Sequence, residues 1–176
     1  MSALAKTEGQ IDLGVVERVI AVGDLAKLTP NERATLYFET CRSLGLNPLT
    51  TPFGYVELKG KLRLYALKAA TDQLRQIHGI SVPKLERSIL EGLAITTAYA
   101  RDASGREDSD IGIVPVVGLR GEDLANALMK SVTKAKRRVT LSICGLGMLD
   151  ETELPLMPEA HVAAVNEAGE IVPKDP

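Results

Sequence analysis

The order of local signals along this 176-residue chain predicts an α+β fold: an antiparallel sheet of hairpins backed by helices, with a long basic C-terminal helix. Three observations carry that expectation. A helix start signal, Thr29-Pro30-Asn31-Glu32, precedes any strand pattern. Two runs of alternating residues flank Lys59-Gly60. An apolar stripe of helical period then extends from about Glu122 to Ile143.

Taken in order, residues 1–28 hold one apolar periodic piece, VVERVIAVGDLAKL, read as a short helix behind an N-terminal arm. Thr29 can cap, Pro30 suits the first helical position and Glu32 completes a capping box, so a helix is expected to about Ser43, ended by Gly45. Pro48 and Pro52 enforce an extended connection. FGYVEL-KG-KLRLYA then reads as a hairpin, because Gly60 tolerates positive φ in a two-residue loop. Simple alternation puts Val56, Leu58, Leu62, Leu64 and Ala66 on one aliphatic face, and Phe53, Tyr55, Lys61, Arg63 and Tyr65 on the other. A short helix, about Ala70–His78, stops at Gly79. Strand signals return in ILEGLAITTAYAR and IGIVPVVGL, joined by the polar loop DASGREDSD, with Pro115 favouring an edge strand or a bulge. The long helix ends at Gly145 and Gly147. The stretch from Asp150 is acidic and Pro-containing, and is expected to be loosely ordered. The domain reading is an arm over 1–28, an α+β core over 29–149 and an acidic tail over 150–176.

Composition narrows the function. Hydrophobic residues at 45% and charged residues at 25% suit a globular protein; aromatics at 3%, with no Trp, require an aliphatic core. No apolar run approaches the roughly 20 residues of a membrane span, and MSALAKTEGQIDLG lacks the basic start and apolar core of a signal peptide. Cys41 and Cys144 stand alone, which points to no disulfide framework and to a reduced, cytoplasmic setting. The net charge of −2 conceals an asymmetry: residues 53–87 hold seven Lys or Arg against three acids, residues 121–148 five against two, and the last 28 residues one Lys against seven acids.

TKAKRR, residues 133–138, concentrates that charge. On a wheel of about 100° per residue, Leu124, Leu128, Val132, Ala135, Val139 and Ile143 share one side, and Lys130, Lys134, Arg137 and Arg138 lie roughly opposite, with Lys136 to the side. Carboxylates that would relieve these cations at i,i+4 are missing from 124 to 149, so either an ordinary solvated face or an external anion explains the run. On the hairpin, Lys61 and Arg63 alternate with Tyr65, a pattern that pairs phosphate contacts with rings for base stacking; Phe53 and Tyr55 read equally well as core. Enzyme signatures are missing. There is no GxxxxGK[ST]; GLG at 145–147 is a helix stop; His78 and His161 have no companion at metal-ligand spacing; Asp72 reads as a helix-terminus carboxylate; and Glu107, Asp108 and Asp110 read as a solvated loop. No catalytic residue, metal or cofactor is expected.

The runs LGLNPLTTPFGYVELKGKLRLYALKAATDQLR and KSVTKAKRRVTLSICGLGMLDETE resemble phage-type single-strand annealing proteins of the RecT and Red-beta kind, over about residues 29–152 and most specifically 44–68 and 130–151. The resemblance implies ATP-independent binding and annealing of single-stranded DNA in homologous recombination, by a homo-oligomeric ring or filament. It makes Lys59, Lys61, Arg63, Lys68, Arg75, Lys130, Lys134, Lys136, Arg137 and Arg138 candidate phosphate contacts and Tyr65 a stacking platform. The acidic C-terminal stretch is then either a docking segment for an exonuclease or single-strand binding protein, or a screen over the groove. The competing reading is a non-enzymatic interaction module whose basic helix binds an acidic protein partner.

Overall fold

The computed structural model describes residues 12–174, so the leader ahead of the first helix lies outside the described residues. The chain divides into two compact units, residues 1–64 with 159–176 and residues 65–158, and each is described by itself.

In the first unit, Asp12 caps helix α1 (Leu13–Val22) by accepting from the Gly14 N–H, and Gly23 closes it at φ 62°. Asp24 then caps a single 3-10 turn, Leu25–Lys27. Helix α2 (Pro30–Leu44) starts with the expected capping box, Thr29 with Glu32, and stops at Gly45 in the left-handed region. Strands β1 (Phe53–Leu58) and β2 (Lys61–Ala66) form the expected hairpin; Lys59 and Gly60 both take positive φ, 53° and 70°, as a type I′ turn requires. The sheet has the order β2-β1-β6-β7, where β6 is Ala160–Val165 and β7 Ile171–Pro173. β6 runs antiparallel to β1 with Val56 opposite Val162. Val15, Leu25, Leu28 and Leu62 form the core beneath it, joined by Val19, Leu36, Tyr55, Leu64 and Ile171.

In the second unit, helix α3 (Lys68–Ile77) leads into a three-stranded antiparallel meander, β3 (Ser81–Leu90), β4 (Leu93–Arg101) and β5 (Glu107–Pro115). Helix α4 (Gly121–Ile143) lies across it. The alternating residues Ala94, Thr96, Ala98 and Ala100 of β4 are all buried. Ala98 and Ala100 pack with Ile80, Ala135, Val139 and Ile143. Such small residues let the helix approach closely. At Gly112 of β5 an added Cβ would lie 2.2 Å from the Ser131 carbonyl oxygen, so only glycine fits there.

Several expectations are corrected. The α+β class and antiparallel pairing hold, but there are two sheets, not one, among the described residues. The long helix is central, ending at Ile143, not C-terminal. The run ILEGLAITTAYAR is two strands, because Glu91 and Gly92, at φ 50° and 77°, make a second tight turn. The loop DASGREDSD shrinks to its first residues, since Glu107–Asp110 already pair with β4; polar residues are tolerated there because β5 is an edge strand. Pro115 ends that edge strand, as its missing N–H demands. The acidic stretch is ordered: Leu154–Leu156 makes a 3-10 turn, and β6 and β7 are joined by a turn in which Asn166 Oδ1 accepts from the Glu170 N–H. Short apolar runs, AHVAAV and IVP, on either side of the turn sequence NEAG are the signal for that hairpin, masked by its acidic flanks.

Candidate nucleic-acid interface

The tip of the first hairpin is cationic and open. Lys59, Lys61 and Arg63 are exposed and make no ion pair among the described residues. Lys61 Nζ donates 2.8 Å to the Val22 carbonyl, which tethers its side chain without neutralising it. The base of the hairpin is different. Tyr65 is 5% exposed and Phe53 4% exposed, so neither ring offers a face to a base. Tyr37 donates its hydroxyl to the Phe53 carbonyl, 3.2 Å, and packs edge-on to the Phe53 ring. Burial raises the Tyr65 phenol above its ordinary range, and nearby Glu151 adds to the rise. The expected stacking role of Tyr65 and the aromatic character of that face are therefore corrected. Geometry explains why: a two-residue loop sets residue 58 opposite 61, so even positions of β1 share a face with odd positions of β2. Tyr55 accordingly packs with Leu62 and Leu64 in the core.

Helix α4 pairs its two arginines with carboxylates from elsewhere in the chain. Arg137 is 6% exposed; its Nε lies 2.9 Å from Asp150 Oδ2, too oblique for a good hydrogen bond, and its Nη1 donates to Glu151. Arg138 pairs with Asp110, 3.2 Å, and with Glu153. The carboxylates missing from the helix itself thus arrive from β5 and from residues 150–153. Asp150 is fully buried; its Oδ1 accepts from the Thr152 N–H at 2.9 Å, and Ala66 forms a bridge beside it. Burial pushes the Asp150 carboxyl above its usual range, against the pull of Thr152 and Arg137. Arg137 and Asp150 behave as a structural ion pair and not as an open phosphate site, which corrects the expectation for Arg137. Lys68 and Arg75 share Asp72 at 3.8 and 2.8 Å on exposed surface, contacts that screen the two cations with small net stabilisation. Lys130 is exposed and Lys136 half-buried, both without ion pairs among the described residues.

Lys134 stands apart. It is 7% exposed, yet it makes no hydrogen bond or ion-pair contact among the described residues. Burial lowers its amine below the ordinary 10.5, and nearby Glu153 and Asp150 oppose the shift. It lines a cavity of about 500 Å³ with Ile113, Val114, Met129, Lys130 and Leu156. Sequence periodicity placed Lys134 on an outward face and carried no signal for this cavity, whose far wall comes from residues 152–156.

Other site-like groups resolve into structure. Glu107 pairs with Arg101, and Asp108 accepts from Ser142 at 2.6 Å. Among the described residues no group of three or more His, Cys, Asp and Glu stands together, and no helix is long and apolar enough to cross a membrane.

The fold and this surface define an α+β protein with a cationic hairpin tip and a central helix whose two arginines are ion-paired. No family model, no curated protein and no solved structure matches this chain.

Proposed function

We propose that this protein binds single-stranded DNA and promotes annealing of complementary strands without ATP, in homologous recombination of the phage type. The observation that carries the reading is the hairpin tip, where Lys59, Lys61 and Arg63 stand exposed and make no ion-pair contact among the described residues, with Asp24 close enough only to feel the Lys61 charge. Cations grouped at a hairpin tip contact phosphates without sequence preference and leave base edges free, which is what pairing of a second strand requires. Lys130 and Lys136 supply further open charge on α4, with Lys68 and Arg75 partly screened by Asp72. The resemblance of segments 44–68 and 130–151 to annealing proteins supports the same reading and adds homo-oligomerisation, which multiplies weak phosphate contacts along one strand. An exonuclease or single-strand binding protein remains the partner class proposed with it.

The test is fluorescence anisotropy of the full chain with a labelled ~40-nucleotide single strand and its duplex across a salt series, followed by the complementary strand without ATP. Preferential single-strand binding and accelerated pairing are expected. With about 0.7 counterions released per phosphate contact on a single strand, the double variant Lys59→Ala/Arg63→Ala should flatten the salt slope by about 1.4. No binding at low salt sinks the reading. A second reading, an interaction module without enzymatic activity, is favoured by one observation: Met129 on α4 and Ile89 on β3 are each 61% exposed, an apolar surface beside the basic segment. A complex with an acidic protein and indifference to nucleic acid would select it.

A further inference from the structure

The cavity beside Lys134 has the composition of a ligand site. Its volume, about 500 Å³, lies inside the range of roughly 300–1,000 Å³ typical of small-molecule pockets. Its walls come from β5 (Ile113, Val114), from α4 (Met129, Lys134) and from the 3-10 turn that follows α4 (Leu156), and they are mostly apolar. The Lys134 side chain is largely covered and its ammonium makes no hydrogen bond or ion-pair contact among the described residues, so an anion entering the cavity would meet a partly desolvated, uncommitted cation.

The neighbouring carboxylates are engaged by other groups. Asp150 is held by Thr152 and Arg137, and Glu153 by Arg138 and the Asp150 N–H. Their charge still reaches Lys134, and it sets the class of guest. Asp110, Asp150, Glu151 and Glu153 surround Arg137 and Arg138, so a doubly charged phosphate would meet as much repulsion as attraction. A single negative charge matches the largely covered Lys134 ammonium, with the exposed Lys130 as the second cation of the lining. Asn126, Thr133 and Thr152 also line the cavity, but most of its surface is apolar and favours a hydrocarbon chain.

We propose that this cavity binds a small aliphatic monocarboxylate, its chain among Ile113, Val114, Met129 and Leu156 and its carboxylate on the Lys134 ammonium. The site is independent of the hairpin tip and of single-strand binding. Octanoate is a suitable probe, because its chain fits the volume and 1-octanol differs from it only in the charged head. Titration calorimetry on the full chain should show saturable one-to-one binding of octanoate, at least tenfold tighter than 1-octanol. Lys134→Met keeps an unbranched apolar side chain as far as Cε and removes the charged nitrogen; it should bring octanoate down to the level of 1-octanol. Leu156→Trp, at a half-exposed wall position, should weaken both probes by occupying the cavity, and it keeps the test intact if the Lys134 variant fails to fold. Absence of octanoate binding, equal affinity for the two probes, or octanoate affinity unchanged by Leu156→Trp would each overturn the assignment.

Discussion

Replacing Gly112 by Ala tests how α4 is seated on its sheet. The new methyl carbon would stand 2.2 Å from the Ser131 carbonyl oxygen, 2.5 Å from the Ala135 nitrogen and 3.1 Å from the Ala135 Cα. All three obstacles are helix backbone, so no rotamer change relieves them. Restoring van der Waals distance needs a retreat of about 1 Å, and a gap of that size forfeits a quarter to a half of each dispersion contact along the interface. Neighbouring contacts depend on the same approach, including the 2.8 Å hydrogen bond between the buried Thr96 and Ser131 hydroxyls. Overpacking of a core costs about 1–3 kcal/mol, and an obstacle made of backbone belongs at the upper end. At about 2–4 °C per kcal/mol for a chain of this size, Gly112→Ala should lower Tm by roughly 6–12 °C. Gly147→Ala is the control, because a Cβ there meets nothing within 4 Å and its φ is ordinary. Differential scanning calorimetry of the two variants beside the parent gives the comparison. A Gly112→Ala protein as stable as Gly147→Ala would refute the close seating of α4 on β5.

Three further outcomes are expected. Arg137→Met leaves the fully buried Asp150 without its cation and should cost about 3–5 kcal/mol in urea unfolding, with much of the loss recovered in Arg137→Met/Asp150→Leu; a double variant that costs as much as Arg137→Met and Asp150→Leu added together would show that the pair is not coupled. Thr96→Val removes the hydroxyl that donates to Ser131 Oγ, while the Ser131 hydroxyl keeps its own 2.8 Å bond to the Leu128 carbonyl, so the cost should be that of one net hydrogen bond, about 0.5–1.5 kcal/mol; a neutral result would show that the bond adds nothing to the seating of α4. Asp24 is held below its ordinary 3.8 although desolvation works the other way, because the Leu62 and Ala26 N–H groups both donate to it. Its stabilisation is therefore complete above the ordinary value and is lost as pH falls through the lower folded value. The stability difference between parent and Asp24→Asn should be largest near neutrality and shrink in acid; a difference that grows in acid would reverse that sign.

Local signals that act within a few residues were readable directly. The capping box at Thr29 and Glu32, the left-handed stop at Gly45 and the type I′ turn at Lys59-Gly60 each depend on side-chain and φ requirements of their own residues. The span of α4 followed from its apolar period and its glycine stop. Two errors had local causes as well. The face assignment of the hairpin failed because parity reverses across a two-residue loop, and the β6–β7 hairpin was hidden by acidic flanks that dominate composition.

What the sequence determined by itself, then, is the α+β class, most element types and an excess of positive charge on one hairpin and one helix. Only the tertiary structure decided what that charge does. A helix wheel ranks residues by angle and is blind to a segment arriving from elsewhere in the chain. Here residues 150–156 cover the polar side of α4, turn Arg137 into half of a buried ion pair and leave Lys134 lining an apolar cavity. At the hairpin tip no such cover arrives among the described residues, and Lys59, Lys61 and Arg63 stay exposed. The same side-chain chemistry is structural in one place and open in the other. Desolvation and pairing, which depend on long-range packing, make that difference.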